Sequence, residues 1–151
     1  MKYFGYNTEL GKVFISQKAD KISGVSFSKP AGEEIETPLL HNAYIQLCEY
    51  MQKKRKIFNL PLLFEGTAFQ HKVWAELVKI PYGKTISYKN LAQNIGNPNG
   101  ARAVGQACSK NKLLIFIPCH RVISGNKKLT GFAAGLNKKR QLLEIEGVLV
   151  D

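Results

Sequence analysis

Residues 113–122, with the sequence LLIFIPCHRV, constrain the possible folds of this chain more than any other stretch. An apolar run of this length that stops at a proline is typical of a buried strand. Proline ends a strand because it has no N–H to donate to the neighbouring strand. We therefore expect a buried strand over residues 113–117 that ends at Pro118 and presents Cys119 at a surface.

Two interpretations of Cys119 follow from the residues alone. A cysteine beside an apolar run is most often a small buried hydrophobe. A thiol with an ordinary pKa of about 8.5 becomes a strong nucleophile only when deprotonated, usually with the help of neighbouring basic groups. His120 and Arg121 follow directly in the sequence. The sequence therefore leaves both a structural and a nucleophilic cysteine open.

Composition limits the class of protein. The 151 residues, 44% of them hydrophobic, suffice for one domain or two small ones with packed cores. No run approaches the roughly 18 apolar residues of a membrane span, and the N-terminus lacks a signal-peptide core. We expect a cytoplasmic protein. The 3 cysteines and 3 histidines have neither disulfide nor zinc-ligand spacing, which predicts no metal.

The charge is uneven along the chain. Residues 1–66 carry 9 Lys+Arg and 7 Asp+Glu, whereas residues 67–151 carry 13 and 4. Basic residues can simply solvate a surface, but this excess lies in the same half as two short helical segments joined by a turn. We therefore expect the C-terminal half to bind a nucleic acid.

Residues 1–66 have the pattern of a small structural domain. Short strands are predicted at 13–15 and 25–27, and they indicate an antiparallel sheet. Apolar residues from Leu40 to Met51, including Cys48, follow helical spacing and predict a helix with a buried face. The basic run 53–56 suits the C-terminal end of that helix.

A second domain is predicted over residues 67–151. Thr67 and Gln70 have capping-box spacing and begin a helix in which Trp74 is expected in the core. Ser87 can cap a further helix that Gly96 closes. The turn 97–100 then leads into a helix over 101–110, and the two form a candidate helix-turn-helix.

The helix over 101–110 carries small residues, among them Ala103 and Gly105, and a long cation, Arg102. Small side chains would let its backbone approach a phosphate backbone closely. Tight packing against a neighbouring helix would explain them equally well. After Cys119 a glycine-rich loop over 124–135 is expected to form a pocket wall, and Asn137 is expected to cap a last helix that ends at Glu146.

Residues 60–147 resemble the O6-alkylguanine-DNA alkyltransferase family. The match in order and spacing is GTAFQ (66–70), IPYG (80–83), SY (87–88), GNP (96–98), RAVG (102–105), Asn111 and PCHRV (118–122). The resemblance implies an α+β fold: an N-terminal antiparallel sheet with a helix, RNase H-like, followed by a mainly helical, winged helix-turn-helix-like DNA-binding domain that carries the active-site cysteine. It also implies a monomer that needs no cofactor.

The resemblance further implies direct DNA repair. Cys119 would irreversibly accept an alkyl group from O6 of a flipped guanine, or from O4 of thymine, in double-stranded DNA. His120, through a water and Glu146, would remove the thiol proton, and Tyr88 would help to neutralise the departing base. Arg102 would fill the space that the flipped base leaves in the stack, and Asn111 would brace the active-site turn. The positions that would bind substrate or DNA are Arg102, Ala103, Gly105, Asn111, Val122, Phe132 and Ala133.

Three alternatives have distinct markers. A non-catalytic protein that binds alkylated DNA has tryptophan at the position of Cys119, so the cysteine argues against it. A cysteine hydrolase using Cys119, His120 and Glu146 would turn over esters or amides. A helix-turn-helix transcription factor needs no thiol and would bind as a dimer matched to its operator.

Overall fold

The computed structural model describes residues 1–126, 129–132 and 134–150, and within them the chain is α+β. It forms two compact units: Met1–Phe64 with Lys112–Phe116, and Glu65–Asn111 with the residues from Ile117 onward. In the described part of the chain, no helix has the length and apolar character needed to cross a membrane.

A four-stranded sheet forms the first unit, with the strands β1 (Lys2–Thr8), β2 (Gly11–Lys18), β3 (Lys21–Ser26) and β4 (Glu33–Glu34) in the order β3-β2-β1-β4. The pairs β1–β2 and β2–β3 are antiparallel, which confirms the predicted sheet, but β4 pairs parallel to β1. The sequence pattern does not predict β1, because its buried residues Tyr3 and Tyr6 are three apart and do not alternate as in a half-exposed strand.

The helix α1 (Pro38–Met51) packs on β1, β2 and β3. It begins at Thr37, whose Oγ1 accepts a hydrogen bond of 3.1 Å from the Leu40 amide, and it buries Leu40 and Leu47 completely. It ends before the basic run 53–56, where Lys53 has a left-handed φ of 64°. Cys48, predicted in the core, is only half-buried.

The second unit contains the helices α2 (Ala68–Val78), α3 (Tyr88–Asn94) and α4 (Ala101–Ser109). The predicted capping box of Thr67 and Gln70 is present, and Ser87 caps α3 as predicted by accepting from the Asn90 amide at 3.0 Å. Trp74 is buried, and its indole N–H donates to the Ala107 carbonyl at 3.0 Å. This bond ties α2 to α4.

The strand predicted over 113–117 is wrong. The apolar side chains are all buried, but the backbone turns: Ile115 has φ 75°, and the Phe116 amide bonds the Leu114 carbonyl at 2.9 Å. Residues 112–116 belong to the first unit, where the Lys112 carbonyl accepts from Val25 at 2.8 Å. The run is apolar because it fills a core, and core burial does not require ladder pairing.

After this turn the chain forms a 3-10 helix, Cys119–Arg121, and then β6 (Val122–Ile123), which pairs parallel with β5 (Ile86–Ser87). The last helix, α5 (Leu136–Ile145), begins at Gly135, whose φ of 98° favours glycine. The predicted cap Asn137 is wrong, because that residue already lies inside the first turn of the helix.

Candidate active site

A cavity of about 630 Å³ opens in the second unit, within the range of small-molecule pockets, about 300–1,000 Å³. Its walls come from α3, α4, the 3-10 helix and the loop before α5. They include Tyr88, Arg102, Gly105, Cys108, Cys119 and Phe132. Two regions distant in sequence thus enclose one space with a thiol on its wall.

Cys119 is buried, with 5% of its surface exposed, and lies at the wall of this cavity rather than at an open surface as predicted. Its Sγ accepts a hydrogen bond of 3.3 Å from Nδ2 of Asn111, which also donates to the Ile117 carbonyl at 3.0 Å. Asn111 therefore holds the chain on both sides of Pro118. Burial raises the pKa of Cys119, although the Asn111 amide and the Lys139 ammonium act to lower it. The resting thiol is protonated at neutral pH and needs a base.

His120, the residue after the cysteine, forms a buried pair with Glu146. His120 Nε2 is 2.7 Å from Glu146 Oε2, and both side chains are fully buried. Glu146 also accepts from Arg121 Nε at 2.9 Å, from Arg121 Nη2 at 3.0 Å and from the Gly83 amide at 2.9 Å.

The electrostatics of this cluster define the protonation of His120. Burial acts to raise the pKa of Glu146, but hydrogen bonds from His120, Arg121 and Gly83 together bring it down to about 2. Burial lowers the pKa of His120, against the opposing effect of Glu146. An ionised carboxylate only accepts hydrogen bonds, so the neutral imidazole carries its proton on Nε2 and its lone pair on Nδ1. His120 is thus arranged to act as a base through Nδ1.

Lys139 is a site residue that sequence analysis missed. It is completely buried in α5, and its Nζ donates to the carbonyls of Val122 and Thr130 at 2.6 Å each and of Gly131 at 3.3 Å. Burial lowers its pKa to about 8, while Cys119 acts in the opposite direction. One ammonium group therefore joins β6 to the cavity loop beside the thiol.

A sequence signal for Lys139 exists. Lys139, Leu142, Leu143 and Glu146 have the spacing i, i+3, i+4 and i+7, which places all four on one helix face. A lysine in the register of the buried leucines predicts a buried cation. The adjacent Lys138 and Arg140 hid this signal, because the three resemble a solvated basic run.

The predicted site residues on α3 and α4 differ in how much of their surface is exposed. Tyr88 is half-buried at the cavity, and burial raises the pKa of its hydroxyl. Arg102 is exposed at the cavity wall on α4, and Ala103 beside it is exposed. A Cβ on Gly105 would lie 3.7 Å from the Tyr88 ring, an ordinary contact.

Of the predicted site residues that follow the 3-10 helix, Val122 lies in β6 and Phe132 in the loop before α5. Val122 is fully buried and contributes its carbonyl to Lys139. Phe132 borders the cavity, and Ala133 lies outside the described residues. Among the residues described, no cluster of three or more His, Cys, Asp or Glu side chains could hold a metal ion.

These features define a class of protein with a buried cysteine at a cavity wall, followed in sequence by a histidine in a buried pair with a glutamate, and with an exposed arginine on the helix that borders the cavity. Residues 68–148 match the family model of the 6-O-methylguanine DNA methyltransferase DNA-binding domain. The chain belongs to the methylated-DNA–protein-cysteine methyltransferase family, as its resemblance indicated.

Individual relatives agree with this assignment over nearly the whole chain. The constitutive methylated-DNA–protein-cysteine methyltransferase of Bacillus subtilis (strain 168) is 43% identical over 157 residues, covering 97% of this chain and 95% of the relative. The Methanosarcina acetivorans methylated-DNA–protein-cysteine methyltransferase is 40% identical over 155 residues, covering 97% and 99%. A crystal structure of Mycobacterium tuberculosis OGT in complex with DNA has a TM-score of 0.90 at 35% identity, covering 97% and 92%.

Proposed function

We propose that this protein repairs alkylated DNA directly, by transferring an alkyl group from O6 of guanine to Sγ of Cys119. Its relatives are named for methyl transfer from DNA to a protein cysteine. The observation that carries the proposal for this chain is the position of Cys119 at the cavity wall, next in sequence to the buried pair of His120 and Glu146.

The proposed reaction is a single displacement. His120 Nδ1 takes the Cys119 proton through a water, and Glu146 stabilises the imidazolium that forms. The thiolate attacks the alkyl carbon in line, so that the S–C bond forms as the C–O6 bond breaks and its electron pair stays on the base. The raised pKa of Tyr88 keeps its hydroxyl protonated at neutral pH. Tyr88 therefore donates a hydrogen bond to the departing purine. The same chemistry would apply to O4 of alkylated thymine.

Double-stranded DNA is the proposed partner, and α4 its proposed contact. The second half of the chain holds most of the excess positive charge, and Arg102 is an exposed cation at the cavity wall. A guanine inside a duplex must leave the stack to reach a buried thiol. Arg102 would occupy the vacated space, while Ala103, Gly105, Val122, Phe132 and Ala133 would shape the surface and pocket around the flipped base.

We further infer the fold of each of the two domains. The sheet of the first unit with α1 beside it supports an RNase H-like structural domain over residues 1–66. The helices α3 and α4 with the short pair β5–β6 support a winged helix-turn-helix over residues 67–151 that binds DNA and carries the thiol. The proposed DNA substrate supports a DNA-associated location in the cytoplasm.

The protein would act once. An S-alkyl cysteine is a thioether, and water does not hydrolyse it as it would an acyl-enzyme ester, because its carbon is a poor electrophile. A cysteine hydrolase would instead convert many substrate molecules per protein molecule. With lesion in excess, repair should reach a plateau of one lesion per protein molecule.

The decisive experiment uses a duplex that contains O6-methylguanine. Intact-protein mass spectrometry should show a gain of one methyl group, and peptide analysis should place it on Cys119. The amount of restored guanine should equal the amount of methylated protein. Product beyond one equivalent would favour a hydrolase, and binding without any methylated Cys119 would favour a non-catalytic DNA-binding protein.

A further inference from the structure

The turn Ile80–Gly83 follows α2 and meets the Glu146 carboxylate at Oε1, whereas His120 lies against Oε2. The Gly83 amide donates to Glu146 Oε1 at 2.9 Å. Arg121, which holds the same carboxylate, donates from Nη1 to the Ile80 carbonyl at 2.7 Å. The turn thus contacts both members of the buried Arg121–Glu146 ion pair through its backbone.

Tyr82 holds the same cluster through its side chain. Its hydroxyl donates to the carbonyl of Ile145, the last residue of α5, at 3.1 Å. Its ring centroid lies 5.9 Å from the Arg121 guanidinium carbon, within the range of a cation–π contact. One side chain therefore fixes the end of the helix that presents Glu146 and also covers the cation that pairs with it.

Gly83 is required by this geometry for two reasons. Its φ of 79° is left-handed, a conformation that side chains rarely adopt. A Cβ at this position would also lie 3.3 Å from the Glu146 carbonyl oxygen, which is close enough to displace the end of α5 by a few tenths of an ångström. Any other residue would move the amide and the carboxylate relative to each other.

We propose that the turn Ile80–Gly83 is a positioning element for alkyl transfer, and that Tyr82 and Gly83 hold the Glu146 carboxylate in the orientation that His120 needs. The inference rests on the proposed function. Neither residue is among those that border the described cavity, so both act through Glu146 and Arg121 rather than on the substrate. A displaced carboxylate would leave His120 poorly oriented, and the thiol would lose its base.

The role predicts a change in pH dependence. The groups that face Glu146 are His120 and Arg121 from the 3-10 helix and Tyr82 from the turn, and Lys139 faces His120 from α5. The Gly83 hydrogen bond is one of the contacts that lower the pKa of Glu146. When it is weakened, the carboxylate takes up a proton at a higher pH than in wild type, so the loss of transfer rate on the acid side should begin at a higher pH.

The test measures single-turnover methyl transfer at saturating O6-methylguanine duplex for Gly83→Ala and Tyr82→Phe. A misplacement of about 1 Å can cost about 100-fold in rate, so a shift of a few tenths should slow Gly83→Ala by about 10-fold. Tyr82→Phe, which keeps the ring over Arg121, should slow transfer by about 3-fold, because it loses only the hydroxyl that anchors α5. The duplex dissociation constant should stay within about 2-fold of wild type, because neither residue is proposed to contact DNA.

Two matched controls lie in the first unit. Gly11→Ala places alanine at another left-handed glycine, with φ 104°, in the β1–β2 hairpin. Tyr44→Phe removes a hydroxyl that donates to the Asn7 carbonyl at 3.2 Å. Both controls should lower thermal stability as the test variants do, yet leave the transfer rate and its pH profile unchanged. If Gly83→Ala folds poorly, Gly83→Asn adds the same Cβ with less backbone strain and should show the same slow transfer.

The outcomes separate the two proposals. Slow transfer with normal DNA binding and an acid limb displaced to higher pH than in wild type supports the positioning role. Transfer at the wild-type rate by Gly83→Ala and Tyr82→Phe, or an equal slowing by the two controls, overturns it while alkyl transfer itself stands. A wild-type protein that never methylates Cys119 overturns the proposed function instead.

Discussion

His120 Nε2 lies 2.7 Å from Glu146 Oε2, and neither side chain reaches solvent. The two residues come from the 3-10 helix and the end of α5, and Arg121 adds a cation to the same carboxylate at 2.9 Å. A buried charge without a partner is very costly, so each member of this cluster stabilises the others. The pair therefore links the base proposed for alkyl transfer to the stability of the second unit.

Stability should fall on acidification in two pH ranges. The pKa of folded His120 lies below its ordinary 6.5, so the unfolded chain binds the additional proton and stability is lost as pH falls through about 6.5. The pKa of folded Glu146, about 2, lies below 4.5, so its contribution is present above 4.5 and is lost between 4.5 and 2. Urea denaturation at closely spaced pH values measures both ranges.

Glu146→Gln separates these contributions. The variant leaves Arg121 buried without its counter-charge, so it should lower the free energy of unfolding at neutral pH by about 3–5 kcal/mol. It should also remove the loss of stability between pH 4.5 and 2. Glu144→Gln, at an exposed position in the last turn of α5, is the matched control. An unchanged acid slope in Glu146→Gln would mean that another carboxylate causes it.

Lys139→Met should loosen the cavity loop. The variant leaves the carbonyls of Val122, Thr130 and Gly131 without their common donor, at a cost of about 1–3 kcal/mol in unfolding free energy. It also removes a cation that lowers the pKa of Cys119, so methyl transfer should slow at neutral pH and recover partly as pH rises. Lys138→Met on the same helix is the control. Equal losses in the two variants would contradict the specific role of the buried ammonium.

Local sequence patterns predict correctly those contacts that join residues close together in the chain. The capping box of Thr67 and the cap of Ser87 form as predicted, because each bond joins residues three apart. The apolar run 113–117 was assigned to a strand because burial produces the same pattern whether the backbone pairs or turns at Ile115. The contact of Gly83 with Glu146 spans 63 positions, and no local pattern predicts it.

Cys119→Ser should abolish alkyl transfer and leave DNA affinity nearly unchanged. A hydroxyl is a far poorer nucleophile than a thiolate at neutral pH, whereas binding depends on contacts with the DNA backbone. Burial raises the pKa of Cys108, the other thiol at the cavity, to about 12, so it should not substitute for Cys119. Methyl transfer and duplex binding are measured on the same preparations, with Cys48→Ser as the control. Any methylated peptide from Cys119→Ser would contradict the site assignment.

Arg102→Ala should slow repair in duplex DNA much more than repair in a single strand or transfer from free O6-methylguanine. The proposed role of the side chain is to fill the stack after the base leaves, and only a duplex has that cost, a few kcal/mol. Arg102→Lys keeps the positive charge but loses the planar group that can stack between bases. Compared with Arg102→Ala, it should therefore recover more of the wild-type affinity for duplex DNA than of the wild-type transfer rate on duplex DNA. Single-turnover rates on the three substrates, with the dissociation constant of each DNA, distinguish the effects. Equal losses of rate on all three substrates would exclude a role in base flipping. A wild-type rate in Arg102→Lys would mean that Arg102 acts only as a phosphate contact.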